Sequence, residues 1–372
     1  MKFSFPKIDW PLFLFLLPVL GAGLVTMKSF TQATPFFSHQ LVWIGFSFII
    51  MFALSYIDFR FLKRTDVLVF LFSIFSGLLL LLFIAGHTSN GAKSWFLLNG
   101  FSFQPSDLMK LVVILMLAKY FSRRHVEIDN FKHIFISGLY AFIPFLLVFL
   151  QPDFGGAMII FFIWLGMTLV SGISRKYLLF VVTSGLIIFV FLWGFVFKPY
   201  QKDRVMNFVQ PLSNIHGSGY NVYQSTIAVG SGQFFGKGVG FGTQSRLKFL
   251  PEFQTDFIFA AFAEEWGFIG VLLLFILLGL IIWRILHIAL LGTTNFEILY
   301  GIGLAIYFIS HFIINIGMNI GIMPVTGITL PFMSYGGSHI LTECIGIGIL
   351  MGMNRYRRVA HRDDMRNEFL GI

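Results

Sequence analysis

Long apolar runs alternate with short polar connections along most of this 372-residue chain. A helix needs about 20 mostly apolar residues to cross a bilayer, and runs of that kind recur along the sequence. They cover residues 10–27, 39–57, 67–86, 106–121, 134–150, 154–171, 177–197, 257–290, 297–320 and 338–354. The pattern therefore predicts an all-α integral membrane protein with ten transmembrane helices.

The connection between the seventh and eighth runs, residues 198–256, is much longer than the others and is rich in Gly, Gln, Lys and aromatic residues. We expect a single polytopic membrane domain over residues 1–372, with 198–256 as one large extracytoplasmic loop inside it. No internal repeat is visible by inspection, which disfavours transporters built from inverted repeats.

Composition supports the membrane assignment. Hydrophobic residues make up 57% of the chain and charged residues 12%, whereas a soluble domain carries about 25% charged residues. The single cysteine, Cys344, excludes an internal disulfide, and the nine histidines show no zinc-ligand spacing.

The net charge of +9 is distributed unevenly along the chain. One side of the predicted topology receives most of the cations: Lys2, Lys7, Arg60, Lys63, Arg64, Lys119, Arg123, Arg124, Lys132, Arg175, Lys176, Arg284, Arg355, Arg357, Arg358, Arg362 and Arg366. The opposite short loops receive Lys28 and Lys93. Under the positive-inside rule both termini are cytoplasmic and the long loop faces outward. The charge is explained by orientation in membrane lipid, which argues against nucleic acid as a partner.

Ionisable residues in apolar segments must be compensated and often mark function. Asp107 and Lys110 begin the fourth run with i,i+3 spacing, on one helix face. They are either an ion pair that locks helices together or a lysine that holds an anionic substrate group. Asp153, after Gln151-Pro152, suits a cap of the sixth helix.

Three carboxylates stand where the long loop returns to the membrane: Asp256, Glu264 and Glu265. On a continuous helix Glu264 would lie roughly 80° around the axis from Asp256, and Glu265 on the opposite face. A helix cap explains at most one of them. We therefore predict a functional site here, in which Asp256 and Glu264 could share a metal ion.

Two glycine-rich stretches interrupt the apolar pattern. Residues 217–242 lack a dinucleotide or P-loop motif, so they form either a flexible loop or a backbone cradle for phosphate, with Arg204, Lys237, Arg246 and Lys248 nearby. Residues 317–338 predict a cavity wall. The GxxxG spacings at Gly317/Gly321 and Gly348/Gly352 favour close helix packing.

Four sequence blocks together resemble the SEDS family, the RodA/FtsW membrane glycosyltransferases of bacterial cell-wall synthesis. These blocks are Gly91–Trp95 with Phe103–Asp107 and Lys110; Gln151–Asp153; Tyr220–Glu265; and Pro324–Gly327 with Ser334–Ser338. The run Gly219-Tyr220-Asn221, with Gln224-Ser225 and Gly242-Thr243-Gln244, is closer to the RodA branch.

The resemblance assigns roles to individual positions. Asp256 matches the family's essential aspartate, and Lys110 with Asp107 matches its lysine and acidic partner, where the family more often has Glu. Further candidates for substrate or pyrophosphate binding are Arg204, Arg246, Lys248, Trp95, Gln104, Glu252 and Thr255; Asp153, Glu264 and Ser334 are expected to support the site. Ser94 and Gln254 depart from the family's usual basic residue and His.

The implied activity is that of an inverting peptidoglycan glycosyltransferase. It polymerises lipid II, as both donor and acceptor, on the outer face of the cytoplasmic membrane and releases a polyprenyl pyrophosphate, for cell elongation. Asp256 would accept the proton of the acceptor hydroxyl, and cations or a divalent ion, Mg or Mn, would stabilise the leaving group. No cofactor is certain.

The resemblance also implies a class B penicillin-binding protein, a transpeptidase, as partner. Three alternatives remain: a flippase or transporter of the lipid-linked precursor, the division-specific FtsW-type paralogue, and a scaffold without chemistry. A flippase needs ionisable residues along a path through the bilayer, whereas those above fall in its outer half.

Overall fold

The computed structural model describes residues 8–30, 36–89, 92–98, 101–123, 131–195, 219–247 and 249–370, with the isolated residues 202, 206 and 208. Over this part of the chain a helix covers each apolar run read from the sequence. The first seven are Trp10–Phe30 (α1), Phe36–Ser55 (α2), Thr65–Ala85 (α3), Pro105–Ser122 (α4), Phe131–Leu150 (α5), Phe154–Val170 (α6) and Arg175–Phe195 (α7).

Five further helices follow α7 within the described residues. They are Tyr220–Ser231 (α8), Thr243–Arg246 (α9), Ile258–Leu290 (α10), Asn295–Asn319 (α11) and Gly337–Leu370 (α12). The last continues well beyond the apolar run that predicted it, and α8 and α9 give regular structure to the long connection.

Six helices in the described residues are long and apolar enough to cross a membrane: Trp10–Ser29, Phe36–Ser55, Thr65–Ala85, Phe131–Leu150, Ile258–Leu290 and Asn295–Asn319. Together with the apolar composition they make this a multi-pass membrane protein. Helix α4 is not among these six, and most of its side chains are buried, including Val113 and Ile114 at its centre.

The fold is mostly helical, but the all-α prediction is wrong between α3 and α4. Three short antiparallel strands lie there, His87–Ser89 (β1), Ala92–Leu98 (β2) and Phe101–Phe103 (β3), in the order β1-β2-β3. Their register places Phe96 opposite Phe103. Strands this short carry too few residues for an alternating pattern to stand out from the apolar segments around them.

Glycines allow α12 to pack closely on α2 and the turn that follows it. A Cβ on Gly348 would lie 2.8 Å from the Met51 carbonyl oxygen, and one on Gly352 would lie 2.7 Å from the Phe59 ring. The helix-packing prediction for the Gly348/Gly352 spacing is therefore confirmed.

Helix α10 is broken at Gly267, whose φ of 63° and ψ of −167° are non-helical. The loop after α8 fills the break: Phe268 N donates to Gln233 O at 2.8 Å, and Ile269 N donates to Phe234 O at 3.1 Å. The continuous helix expected from the sequence is thus two segments. Residues 268–290 alone rise about 34 Å at ~1.5 Å per residue, enough to cross a hydrocarbon core of about 30 Å.

Candidate active site

Asp256 lies just before α10, in a turn formed by residues 251–257. The helix begins at Ile258, and Phe257 occupies its N-cap position without a side-chain capping bond. Asp256 is therefore not the helix cap. Its carboxylate is partly buried against a neighbouring segment, since a Cβ on Gly327 would lie 3.6 Å from Asp256 Oδ2.

The side-chain amide of Asn319 takes the place of the first backbone hydrogen bond of α10. In a regular helix the Ala260 N–H would donate to the Asp256 carbonyl. Here Asn319 Nδ2 donates to Asp256 O at 3.0 Å, and Ala260 N donates to Asn319 Oδ1 at 3.1 Å. Asn315, one turn earlier on α11, also donates to Asp256 O at 3.0 Å. These two fully buried asparagines place Asp256 outside the helix.

The return segment, residues 321–336 between α11 and α12, fixes the chain just before Asp256. Ser334 Oγ donates to Thr255 O at 2.6 Å, and Tyr335 N donates to Gln254 O at 2.8 Å. Gln40 on α2 in turn donates to Ser334 O at 3.0 Å. Ser334 thus supports the site through the backbone. These hydrogen bonds place part of the 317–338 interruption next to Asp256, as expected for a segment that lines a cavity.

A second group of charges surrounds the start of α4. Lys110 Nζ lies 2.9 Å from Asp107 Oδ1, and both side chains are almost completely buried. His339 on α12 brings its Nδ1 to 3.7 Å from the same carboxylate oxygen. The predicted Asp107–Lys110 pair is therefore formed, and it belongs to a larger buried network.

Asp153 and Gln104 join this group to α6. Asp153 Oδ1 accepts from Gly156 N at 2.8 Å, which caps α6, and its Oδ2 accepts from Gln104 Nε2 at 3.2 Å. Burial raises the pKa of Asp153, and the positive charge of nearby Lys110 opposes that rise. The cap predicted from the sequence is present. The start of α6 also touches the return segment, because a Cβ on Gly155 would lie 2.7 Å from Thr326 O.

Glu264 does not join Asp256 in a metal site. It is fully buried, and its Oε1 lies 2.7 Å from Lys237 Nζ and accepts from Thr243 Oγ1 at 3.1 Å. Gln244 N donates to both of its oxygens. Among the described residues no group of three or more His, Cys, Asp or Glu side chains could hold a metal ion. Glu264 instead fastens the glycine-rich loop to α10.

Glu265 has the same fastening role, because its Oε1 accepts from Gly240 N at 2.6 Å. Lys237 N and Gly238 N donate to the carbonyls of Glu264 and Glu265. These backbone N–H groups are used within the protein, which disagrees with an open cradle for phosphate. The glycine-rich loop after α8 is therefore inserted into the break in α10 and bonded to the residues on both sides of it.

The remaining predicted residues are less closely tied to Asp256. Glu252 is exposed and accepts from Thr255 Oγ1 at 3.3 Å. Arg246 is exposed at the end of α9, and Trp95 is partly buried on β2. Arg204 and Lys248 lie outside the described residues.

Sequence reasoning did not assign four buried polar residues to the site: Asn315, Asn319, His339 and Glu343. Asn315 with Asn319, and His339 with Glu343, have i,i+4 spacing, each within an otherwise apolar helix. That spacing places both members on one helix face and could have identified them. A neutral asparagine carries no charge that must be compensated in an apolar helix, so it gives a weaker sequence signal than Asp256.

Two chemically different groups therefore adjoin the return segment. A partly buried carboxylate, Asp256, lies against this segment at Gly327. The Asp107–Lys110 pair reaches the segment through α12, where Glu343 Oε2 accepts from Phe332 N. Such an arrangement can accept a proton at one point and bind an anion at another.

Comparisons with known proteins agree with this arrangement. A family model described as FTSW_RODA_SPOVE, cell cycle protein, matches residues 11–359. Stage V sporulation protein E of Bacillus subtilis (strain 168) is 37% identical over 327 residues, 87% of this chain and 88% of that protein. Peptidoglycan glycosyltransferase MrdB of Escherichia coli (strain K12) is 40% identical over 274 residues, 74% of each chain.

The fold is also similar to a solved structure. A chain of the structure described as "Structural coordination of polymerization and crosslinking by a peptidoglycan synthase complex" superposes with a TM-score of 0.82 at 29% identity, covering 94% of this chain and 98% of that one. With the family model matched from residue 11 to residue 359, this chain belongs to the FtsW/RodA/SpoVE family.

Proposed function

We propose that this protein is a peptidoglycan glycosyltransferase that polymerises lipid II into glycan strands. The observation that carries the proposal is the placement of Asp256, a partly buried carboxylate released from its helix by Asn319 and held beside the return segment. Family membership and the named activity of the MrdB relative support it.

The chemistry requires a base and a site for the leaving group. A β-1,4 bond formed from an α-linked donor inverts the anomeric carbon, so the base acts on the acceptor hydroxyl opposite the departing pyrophosphate. Asp256 takes this proton and raises the nucleophilicity of the oxygen. Because pyrophosphate leaves without a strong general acid, a single carboxylate suffices, and cations stabilise the charge that develops on the leaving group.

Lys110 is the proposed cation for that pyrophosphate. Asp107 engages one of its three N–H groups, and an ammonium can donate three hydrogen bonds. Arg246, Arg204 and Lys248 are proposed as outer contacts for the anionic substrate, because they are cations of the loop that leads to Asp256.

The proposed topology has ten transmembrane helices in the cytoplasmic membrane, with both termini cytoplasmic and residues 198–256 outside. The charge asymmetry supports this orientation. So does the break at Gly267, since residues 268–290 can span the bilayer by themselves and leave Asp256 at its outer edge. Polymerisation then takes place on the outer leaflet. We assign the protein to elongation, on the RodA-like run from Gly219 to Gln244.

A class B penicillin-binding protein is the proposed partner. The similar chain described above comes from a peptidoglycan synthase complex in which polymerization and crosslinking are coordinated. A transpeptidase that acts on the growing strand would supply the second of those activities here.

The test is polymerisation by purified protein reconstituted with lipid II, comparing the wild type with Asp256→Asn. General-base assistance contributes about 10²–10⁴-fold, so we expect glycan strands on a gel from the wild type and a loss of that size in the variant. Asp58→Asn, which removes a carboxylate paired with Arg60 away from the site, is the matched control and should keep normal activity. An unchanged rate in Asp256→Asn would overturn the proposal, and precursor translocation without polymer would favour a flippase.

A further inference from the structure

Four ionisable side chains of α4 and α12 form one buried network. Asp107, Lys110, His339 and Glu343 are each at most 4% exposed. Lys110 Nζ lies 2.9 Å from Asp107 Oδ1, and His339 Nε2 lies 2.9 Å from Glu343 Oε1. The two pairs meet where His339 Nδ1 lies 3.7 Å from Asp107 Oδ1.

The charge of this network must balance, because a buried charge left without its partner is strongly destabilising. Asp107 and Lys110 balance each other. The His339–Glu343 pair is electrically neutral only if it carries one proton more than a neutral imidazole and an ionised carboxylate would. His339 lies between two carboxylates, which makes its imidazole ring the favourable place for the positive charge.

Other titratable groups around His339 agree with that assignment. The His311 ring on α11 is centred 4.9 Å from the His339 ring, so two imidazolium ions would repel each other. His311 Nδ1 lies 3.2 Å from Thr329 O, and a carbonyl oxygen can only accept, so His311 donates from Nδ1. Repulsion from a positive charge on His339 favours the neutral form of the His311 ring. Tyr307, whose ring is centred 4.7 Å from the His311 ring, is also uncharged at neutral pH. From α2, the nearby buried side chain is the neutral amide Gln40.

The network also reaches the segment beside Asp256. Glu343 Oε2 accepts from Phe332 N at 3.1 Å, and Phe332 has a positive φ of 60°, which is uncommon for a bulky residue and needs support. Ser334, two residues later, donates to Thr255 O. A continuous line of polar contacts thus runs from Lys110 through Asp107, His339 and Glu343 to the return segment.

We propose that His339 and Glu343 are positioning residues that share one proton and fix the Lys110 ammonium relative to the return segment. The His339 charge divides Asp107 Oδ1 between two cations. Lys110 is then held less tightly by Asp107 and remains able to bind the anionic pyrophosphate of the substrate. The kinetic part of this inference rests on the proposed function.

The kinetic test uses the full-length protein in lipid with lipid II at varied pH. In Glu343→Gln the His339 imidazolium loses one of the two carboxylates beside it and therefore loses its proton at a lower pH. The decline in activity at high pH should then begin at a lower pH than in the wild type. At neutral pH we expect at least about a tenfold lower rate, because His339 loses the anion that lies 2.9 Å from its Nε2. Glu297→Gln, which breaks a buried pair with Lys63 elsewhere, is the matched control and should keep the wild-type pH profile.

A double variant separates positioning from charge balance. His339→Gln with Glu343→Gln leaves no unpaired charge, so it should fold, yet it should remain slow and lose the pH dependence due to His339. A double variant with the wild-type rate and pH profile would overturn the inference, as would a Glu343→Gln variant with both unchanged.

Nitrogen NMR of histidine-labelled protein tests the shared proton without any activity. The His339 signal is the one absent from the double variant. We expect the chemical shift of an imidazolium at pH 7.5 in the wild type and of a neutral ring in Glu343→Gln. A neutral His339 in the wild type would refute the inference even if the protein proved not to be a polymerase. A wild type without polymer but with a charged His339 would refute only the proposed function.

Discussion

The Asp256 carbonyl is held by two side-chain amides of α11, whereas in a regular helix it would accept from the backbone four residues on. Asn319 contributes a donor and an acceptor at once, so it continues the hydrogen bonding of α10 while keeping Asp256 out of it. Asn319 also accepts from Ser225 Oγ through its own carbonyl, at 2.8 Å, which ties α8 to the same point. The direction of the Asp256 side chain therefore depends on a residue 63 positions away.

We predict that Asn319→Ala lowers kcat for polymerisation by roughly 10–100-fold, with KM nearly unchanged. Without the amide, Ala260 N can bond directly to Asp256 O, which draws Asp256 into the helix; displacement of a reacting group by about 1 Å can cost ~10²-fold. The substrate contacts proposed for Lys110 are untouched, so binding should persist. Initial rates at varied lipid II concentration separate the two constants.

Asn295→Ala is the matched control, because Asn295 is exposed at the first position of the same helix. It should leave both constants unchanged. A normal kcat in Asn319→Ala would mean that the inserted amide has no part in placing Asp256.

Charged residues of the site could be identified from the sequence, but their partners on distant elements could not. Asp107, Lys110 and Asp256 stand out because an ionisable group in an apolar run needs a reason to be there. Glu264 stood out equally, yet it is bound to Lys237 and Gln244 from the preceding loop. A single sequence does not say which buried carboxylate is bound by a loop from elsewhere in the chain.

At the scale of elements, the break in α10 depends on two glycines in contact. Gly236 has a φ of 79°, and Gly267 has a φ of 63°. A Cβ on Gly267 would collide with Gly236 N and would lie 2.7 Å from the Phe235 carbonyl carbon. Neither residue can carry a side chain while the loop stays wedged in the helix.

We predict that Gly267→Ala destabilises the protein by several kcal/mol, on the order of the 1–3 kcal/mol of backbone strain plus the cost of displacing the loop. The φ/ψ pair at Gly267 lies in a region that is essentially restricted to glycine. A lower melting temperature in detergent, with faster proteolysis of residues 233–238, would be the measured result.

The same substitution at Gly279 provides the control within α10. A Cβ there meets nothing within 4 Å, and alanine favours a helix over glycine by about 1 kcal/mol. Gly279→Ala should thus keep or slightly raise the melting temperature. Equal behaviour of the two variants would argue against a glycine-dependent break.

Some elements are specified by their own segment of sequence, and others depend on contacts with a second segment. Helices such as α3 and α11 follow from the length and apolarity of their segments, and these were predicted close to their observed bounds. The three-stranded sheet was missed because its strands are too short to show an alternating pattern. The α10 break was missed because it depends on a loop that docks from an earlier part of the chain. Gly267 follows Trp266 in an apolar run, and only the docked loop distinguishes it from an ordinary helical glycine.

For the whole molecule, ion pairs divide between the two ends of the predicted helices. Lys63–Glu297 and Arg284–Asp9 lie at 2.7 and 2.8 Å on the side predicted to be cytoplasmic. Lys237–Glu264, at 2.7 Å, is on the predicted outer side beside the α10 break. If this division is correct, Asp256 and Arg246 open to the outside, where lipid-linked sugars are joined, and Arg60 opens to the cytoplasm.

Cysteine labelling tests that orientation directly. In a Cys344→Ser background, which removes the one native and buried thiol, we predict that a membrane-impermeant maleimide labels Arg246→Cys in intact cells. Arg60→Cys should react only after the membrane is opened, because Arg60 is well exposed but on the opposite side. The background protein without added cysteine should stay unlabelled under both conditions. Labelling of Arg60→Cys in intact cells, with Arg246→Cys protected, would place Asp256 on the cytoplasmic side and remove the outer leaflet as the place of polymerisation.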